Sequence, residues 1–131
     1  MKLKWLAIVY ALFLALLVFL ADHKQYRFLF RFVRQTPYAD KVGHFVLMGL
    51  FSFLVNLALS SKRIRIGPLK VLLGSLLVAL VVTLEEVSQI FLRYRSFDLV
   101  DLAFDYAGIL LFGLLASYLT RLRLARQDSP Y

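Results

Sequence analysis

WLAIVYALFLALLVFLA, residues 5–21, contains no charged side chain and decides the environment of the whole chain. Lys2 and Lys4 precede it and Asp22 closes it. Its length is close to the roughly 20 apolar residues that carry a helix across a bilayer. It is similar in outline to a secretory signal, but Phe19 and Ala21 make a poor small-residue cleavage site, so it reads as an uncleaved signal anchor. Three further runs of similar length follow. The second extends from Val42 to Ser60, and the third from about Pro68 to Leu92, with Glu85 and Glu86 late in it. The fourth extends from about Leu99 to Thr120 and is stopped by Arg121, Arg123 and Arg126. The expected fold is therefore an all-α integral membrane protein with four transmembrane helices, forming one domain over residues 1–131.

Composition agrees. Of 131 residues, 61% are hydrophobic, more than a soluble domain of this size can hide from water. Cysteine is absent, which excludes disulfides and thiolate metal sites. The formal net charge is +8, which suits contact with anionic lipid headgroups. Nucleic acid is excluded as a partner because the basic residues punctuate the ends of apolar runs rather than forming a face. With the N-terminus inside, the inner segments hold Lys2, Lys4, Lys62, Arg63, Arg65, Lys70, Arg121, Arg123 and Arg126. That narrowly exceeds the basic count of the outer loops and places both termini in the cytoplasm.

Between the first two runs, Lys24, Arg27, Arg31 and Arg34 recur at three- and four-residue steps. Tyr26, Phe28, Leu29, Phe30, Phe32 and Val33 fill the intervening positions. This pattern predicts an amphipathic interfacial helix within His23 to Tyr38, ended by Pro37, with the four cations at lipid headgroups.

The remaining charges stand where a membrane span should not have them. Lys41 and His44 open the second run, Glu85, Glu86 and Gln89 close the third, and Asp98, Asp101 and Asp105 open the fourth. In a four-span chain all of these ends lie at one membrane face. From Lys70 to Glu85, and again from Asp105 to Arg121, a helix rises only about 22–24 Å. The hydrocarbon is about 30 Å thick, so the carboxylates are drawn several ångströms into it. Ionisable groups there pair with one another or line a site. Gly43, Gly49, Gly74, Gly108 and Gly113 would let the helices approach closely.

These residues carry a family resemblance. Asp40-Lys41-Val42-Gly43-His44-Phe45 resembles the D-K-x-x-H-F opening of VanZ-like membrane proteins. Glu86-Val87-Ser88-Gln89 is similar to their E-x-x-Q, and Arg95-Ser96-Phe97-Asp98-Leu99-Val100-Asp101 to their R-S-x-D-x-x-D. Asp105-Tyr106-Ala107-Gly108 stands where that family has N-x-x-G, so Asp105 adds a charge. Arg93-Tyr94 replaces a common proline-glycine. The resemblance spans about residues 39–113. It implies a bacterial cytoplasmic membrane and an envelope-related role, in a family named for a protein associated with resistance to the lipoglycopeptide teicoplanin.

The function expected is binding or modulation of a lipid or lipid-linked envelope component. Lys41, His44 and Arg95 would bear the positive contacts. Glu86, Gln89, Asp98, Asp101 and Asp105 would complete the cluster, orienting the cations or meeting hydroxyls and amides. The alternatives are a membrane enzyme acting on a lipid-phosphate headgroup, and a scaffold in which the cluster is internal cement. An intramembrane metalloprotease fails for want of downstream histidines, since His23 and His44 are the only two. A metal site of His44, Glu86, Asp101 and Asp105 lacks any H-x-x-x-H or E-x-x-H pair to fix it, so no metal and no cofactor is expected. Ser52, Ser75 and Ser88 lack the context of an acyl-transfer nucleophile.

Overall fold

The computed structural model describes residues 2–23, 28, 31, 35, 36, 38–91 and 98–129. Four helices are long and apolar enough to cross a membrane. They are α1 (Lys2–Asp22), α2 (Ala39–Ala58), α3 (Leu73–Ser88) and α4 (Leu99–Gln127), with one 3₁₀ turn, Gln89–Phe91, after α3. A two-stranded antiparallel hairpin, β1 (Arg63–Ile66) and β2 (Leu69–Leu72), joins α2 to α3. The chain is a multi-pass membrane protein. Of the expected interfacial helix, Lys24, Arg27, Arg34 and most neighbouring residues lie outside the described residues; Arg31 is described and exposed.

The hairpin corrects the all-helical expectation, which had the third apolar run begin helically near Pro68. Arg63-Ile64-Arg65-Ile66 alternates with period two, the strand period rather than the helical one. Gly67 takes a φ of 58°, and Pro68 beside it cannot. A two-residue loop with positive φ at its first position only is the II′ turn, whose twist matches that of the strands. The other correction is at the end of α4, which continues through Arg121–Gln127 because that segment is written in strong helix formers.

Packing is inverted relative to a soluble bundle. Leu84, Leu110 and Leu69 are each more than 60% exposed, whereas Ser52, Asn56, Glu86 and Asp105 are buried. A bundle in lipid gains little by hiding leucine, and its interhelical contacts are made by small and polar side chains instead. The apolar part of the interior is Val78, Val82, Leu102 and Ile109, with Met48, Phe51 and Val55 against it.

Helices α2 and α4 run in the same direction, with α3 antiparallel beside both. Their closest approach is at Gly108, where an added Cβ would lie 2.2 Å from the Phe45 carbonyl oxygen. Gly49 receives the Phe112 ring in the same way. Below these contacts Ser52 Oγ donates to the Ile109 carbonyl (2.9 Å), and Asn56 Nδ2 donates to Ser75 Oγ (2.9 Å) and the Ser52 carbonyl (2.9 Å). One small polar knot thus ties α2, α3 and α4 in mid-bundle. Gly43, expected among the close-approach glycines, faces open space. Helix α1 is attached more lightly, through Tyr10, whose hydroxyl donates to the Leu47 carbonyl at 2.8 Å.

Candidate functional site

The site forms at the end of the bundle where α2 and α4 begin and α3 stops. Lys41 and His44 are three residues apart, so they share one face of α2. Asp98, Asp101 and Asp105 follow a three-then-four spacing and share one face of α4. Asp98 caps α4, accepting from the Val100 and Asp101 amides at 2.8 and 3.4 Å. This satisfies two of the amides that a helix start otherwise leaves unpaired.

Lys41 Nζ bridges the two helices, donating to Asp98 Oδ2 at 2.8 Å and to Asp101 Oδ1. The ammonium beside Asp98 holds that carboxyl below the usual carboxylate range. One turn deeper, His44 Nδ1 lies 2.9 Å from Asp105 Oδ1. Nε2 of the same ring points towards Asp40 Oδ1 (3.6 Å) and Asp101 Oδ2 (3.7 Å). Asp105 is 1% exposed, so His44 is the group that makes its burial tolerable.

Glu86 is fully buried and closes the third side. Its Oε1 accepts from the Asp98 amide at 2.9 Å, which fastens the end of α3 to the start of α4. Gln89 Nε2 donates to Glu85 (2.8 Å) and to Glu86 Oε2 (3.3 Å), so both glutamates belong to the assembly. A 16-residue α3 rises only about 24 Å, which is why its carboxylate end is drawn inward.

The geometry therefore brings together Lys41, His44, Glu86, Gln89, Asp98, Asp101 and Asp105. Arg95 lies outside the described residues. Asp40, read in the sequence only as the first residue of the family motif, is a further member of the cluster: it stands four residues before His44 on the same helix face. The knot of Ser52, Asn56 and Ser75 was passed over, although Ser52 and Asn56 continue the α2 stripe at four-residue steps. Among the described residues the group able to hold a metal ion is Asp40, His44 and Asp101, whose ligand atoms lie within 4.8 Å of one another. Lys41 already supplies a positive charge to both of those aspartates.

The cluster is graded in exposure. Asp40 and Asp98 form the outer rim, with half and about a third of their side-chain surface open. Lys41 and His44 are intermediate, and Glu86 and Asp105 form a closed floor. Among the described residues, Asp40, Glu86, Asp98, Asp101 and Asp105 gather around Lys41 and His44, with Glu85 joined to them through Gln89.

The VanZ/LLP1 family profile matches residues 7–121, nearly the whole of the four-span architecture. The chain belongs to the VanZ/LLP1 family. The match reaches beyond the motif-bearing segment to take in most of α1 and the first residue past Thr120. No curated protein and no solved structure matches the chain.

Proposed function

We propose that this VanZ/LLP1 member binds the polar headgroup of a lipid or lipid-linked envelope component at the Lys41–His44–Asp101–Asp105 cluster. The observation that carries the reading is the gathering of ionisable side chains from three helices in a half-open site at the bundle end, with Lys41 and His44 set among Asp98, Asp101 and Asp105. Joining three membrane helices needs one or two polar contacts, each contributing about 0.6 kcal/mol on average. Six carboxyls, a lysine, a histidine and a glutamine exceed that need, and ionisable groups at this depth mark function by default.

The pairing of Lys41 redistributes the expected roles. Its ammonium is engaged by Asp98 and Asp101, so it holds those carboxylates in place rather than gripping a phosphate. The ligand contacts fall to Asp40, Asp98 and Asp101, which accept from hydroxyl, amide or ammonium groups of a sugar or peptide headgroup. Arg95, three residues before Asp98 in sequence, is the residue assigned to an accompanying phosphate. The site faces the outside of a bacterial cytoplasmic membrane, with both termini inside. Where the ligand is a cell-wall precursor, its capture alters susceptibility to lipoglycopeptides such as teicoplanin.

The test is native mass spectrometry of the gently extracted full chain, with co-released lipids identified, run beside Asp40→Asn and Arg95→Gln. A stoichiometric lipid or lipid-linked species, lost in variants that still release as folded protein, supports the reading. The same lipids on all three proteins, in proportion to their abundance in the membrane, refute it.

A further inference from the structure

The opposite end of the bundle is strongly basic. Lys2, Lys4, Lys62, Arg63, Arg65, Lys70, Arg121, Arg123 and Arg126 gather where the chain begins, turns through the hairpin and leaves α4. The only described acid there is Asp128. Two contacts pin the hairpin to α4: Arg63 Nη2 donates to Ser117 Oγ at 3.1 Å, and Ser61 Oγ meets Thr120 Oγ1 at 2.8 Å.

Strand register divides the hairpin into two faces. Arg65 pairs with Lys70, Ile64 with Val71, and Ile66 with Leu69. Cross-strand partners lie on the same side of a sheet, and successive residues alternate between sides. One face therefore carries Arg65 and Lys70 at its exposed tip, and Arg63 and the buried Leu72 at its base, where Arg63 meets the last helix. The other carries Ile64, Ile66, Leu69 and Val71, of which Ile66 and Leu69 are at least half exposed. The hairpin is an amphipathic element beside a membrane span.

The pairing of Arg65 with Lys70 is unfavourable in isolation. Like charges directly opposite on antiparallel strands destabilise the pair, their Cβ atoms being about 5 Å apart. Both side chains are exposed, and among the described residues neither has a carboxylate partner; Arg65 Nε donates to the Gly67 carbonyl at 3.2 Å. An anion seated between the two cations converts the repulsion into a clamp. The apolar face directly behind the pair specifies which anion, because a soluble one has no use for it. A phospholipid has both parts, acyl chains for Ile66 and Leu69 and a phosphodiester for Arg65 and Lys70.

We propose that the β1–β2 hairpin is a binding site for an anionic phospholipid, with the Ile64–Ile66–Leu69–Val71 face in the acyl boundary and the Arg65–Lys70 pair on the phosphate. Arg121, Arg123 and Arg126 add long-range attraction. The site is separate from the carboxylate cluster and stands whether or not that cluster binds a headgroup.

The experiment uses the full chain carrying Trp5→Phe and Leu69→Trp, reconstituted in phosphatidylcholine vesicles with a minority of phosphatidylglycerol brominated on its acyl chains. Tryptophan quenching reports the lipid composition beside the hairpin. Quenching well above the bulk share of phosphatidylglycerol is expected. The excess should fall about fivefold with Lys70→Gln, one cation at an anionic surface being worth roughly that factor. It should vanish with Arg65→Glu, which replaces the like-charge pair by an opposite-charge one and so keeps the hairpin formed. An unshifted emission maximum verifies that the tryptophan has stayed at the same depth. Quenching no greater than the bulk share, or an excess that survives Arg65→Glu, overturns the proposal. So does an excess abolished by millimolar inorganic phosphate, which would assign the clamp to a free anion.

Discussion

Replacing Gly108 by alanine tests whether the fold and the site are one mechanical unit. The new Cβ would lie 2.2 Å from the Phe45 carbonyl oxygen, 3.0 Å from the carbonyl carbon and 3.2 Å from its Cα. These are backbone atoms, so no side chain can swing away and α2 must move off α4. Ordinary contact begins at 3.4 Å, so the shortfall is 3.4 − 2.2 = 1.2 Å. His44 adjoins Phe45, and Asp105 precedes Gly108 by one turn. The same displacement therefore carries the 2.9 Å His44–Asp105 contact out of hydrogen-bonding range. Overpacking costs about 1–3 kcal/mol, and losing a hydrogen bond to a charged group about 1.5–3 kcal/mol. Alanine's better helix propensity returns about 1 kcal/mol. The net expectation is about 1.5–5 kcal/mol. Gly43→Ala is the matched control, because nothing lies within 4 Å of its added Cβ and it makes the same propensity gain in α2. Both variants would be unfolded reversibly in mixed micelles, with ¹⁵N-histidine spectra recorded on the folded forms. Gly108→Ala should lose stability and shift the His44 imidazole resonances, while Gly43→Ala should lose no stability and leave the imidazole resonances in place. Equal stability of the two within about 0.5 kcal/mol would falsify the claim of a close backbone approach.

Four further outcomes are expected. Asp98→Ala should cost about 1 kcal/mol more than Asp98→Asn, since asparagine keeps the helix cap and alanine does not; equal losses would assign the whole effect to the Lys41 ion pair. That ion pair also has a pH signature. The carboxyl of Asp98 is held below its usual range, so its contribution is complete above ordinary carboxylate values and disappears as pH falls through the lowered one; titrating the stability of wild type against Asp98→Asn should show the difference closing only in acid. Lys41→Met should destabilise by about 2 kcal/mol, less than a fully buried pair because a fifth of the side chain is exposed, and a double-mutant cycle with Asp101→Asn should reveal strong coupling. Asn56→Ala should cost about 1–2 kcal/mol by thermal unfolding while leaving lipid retention at the distant cluster unchanged; loss of retention would show that the mid-bundle knot and the cluster are not independent.

Much of this protein is legible without coordinates, for a definite reason. Hydrocarbon forces a backbone to satisfy itself, so each long apolar run must be a helix, and the number of runs fixes which ends share a face. Four spans and the gathering of Lys41, His44, Glu86, Asp98, Asp101 and Asp105 at one end follow from run boundaries alone. The family motif likewise resides in linear spacing. Where sequence reading failed, local and apolar signals competed. Residues 63–72 are apolar enough to be absorbed into a span, and only their period of two, with Gly67-Pro68 between, betrays the hairpin. What tertiary structure decided is pairing. Spacing brings Lys41 to the carboxylates but cannot say that it bonds Asp98 and Asp101 while His44 takes Asp105. That choice depends on the rotation and separation of α2 against α4, which are fixed by the backbone contact at Gly108 and the Phe112 ring over Gly49. Helix rotation is set by steric fit between residues distant in sequence, and a linear pattern contains no such term.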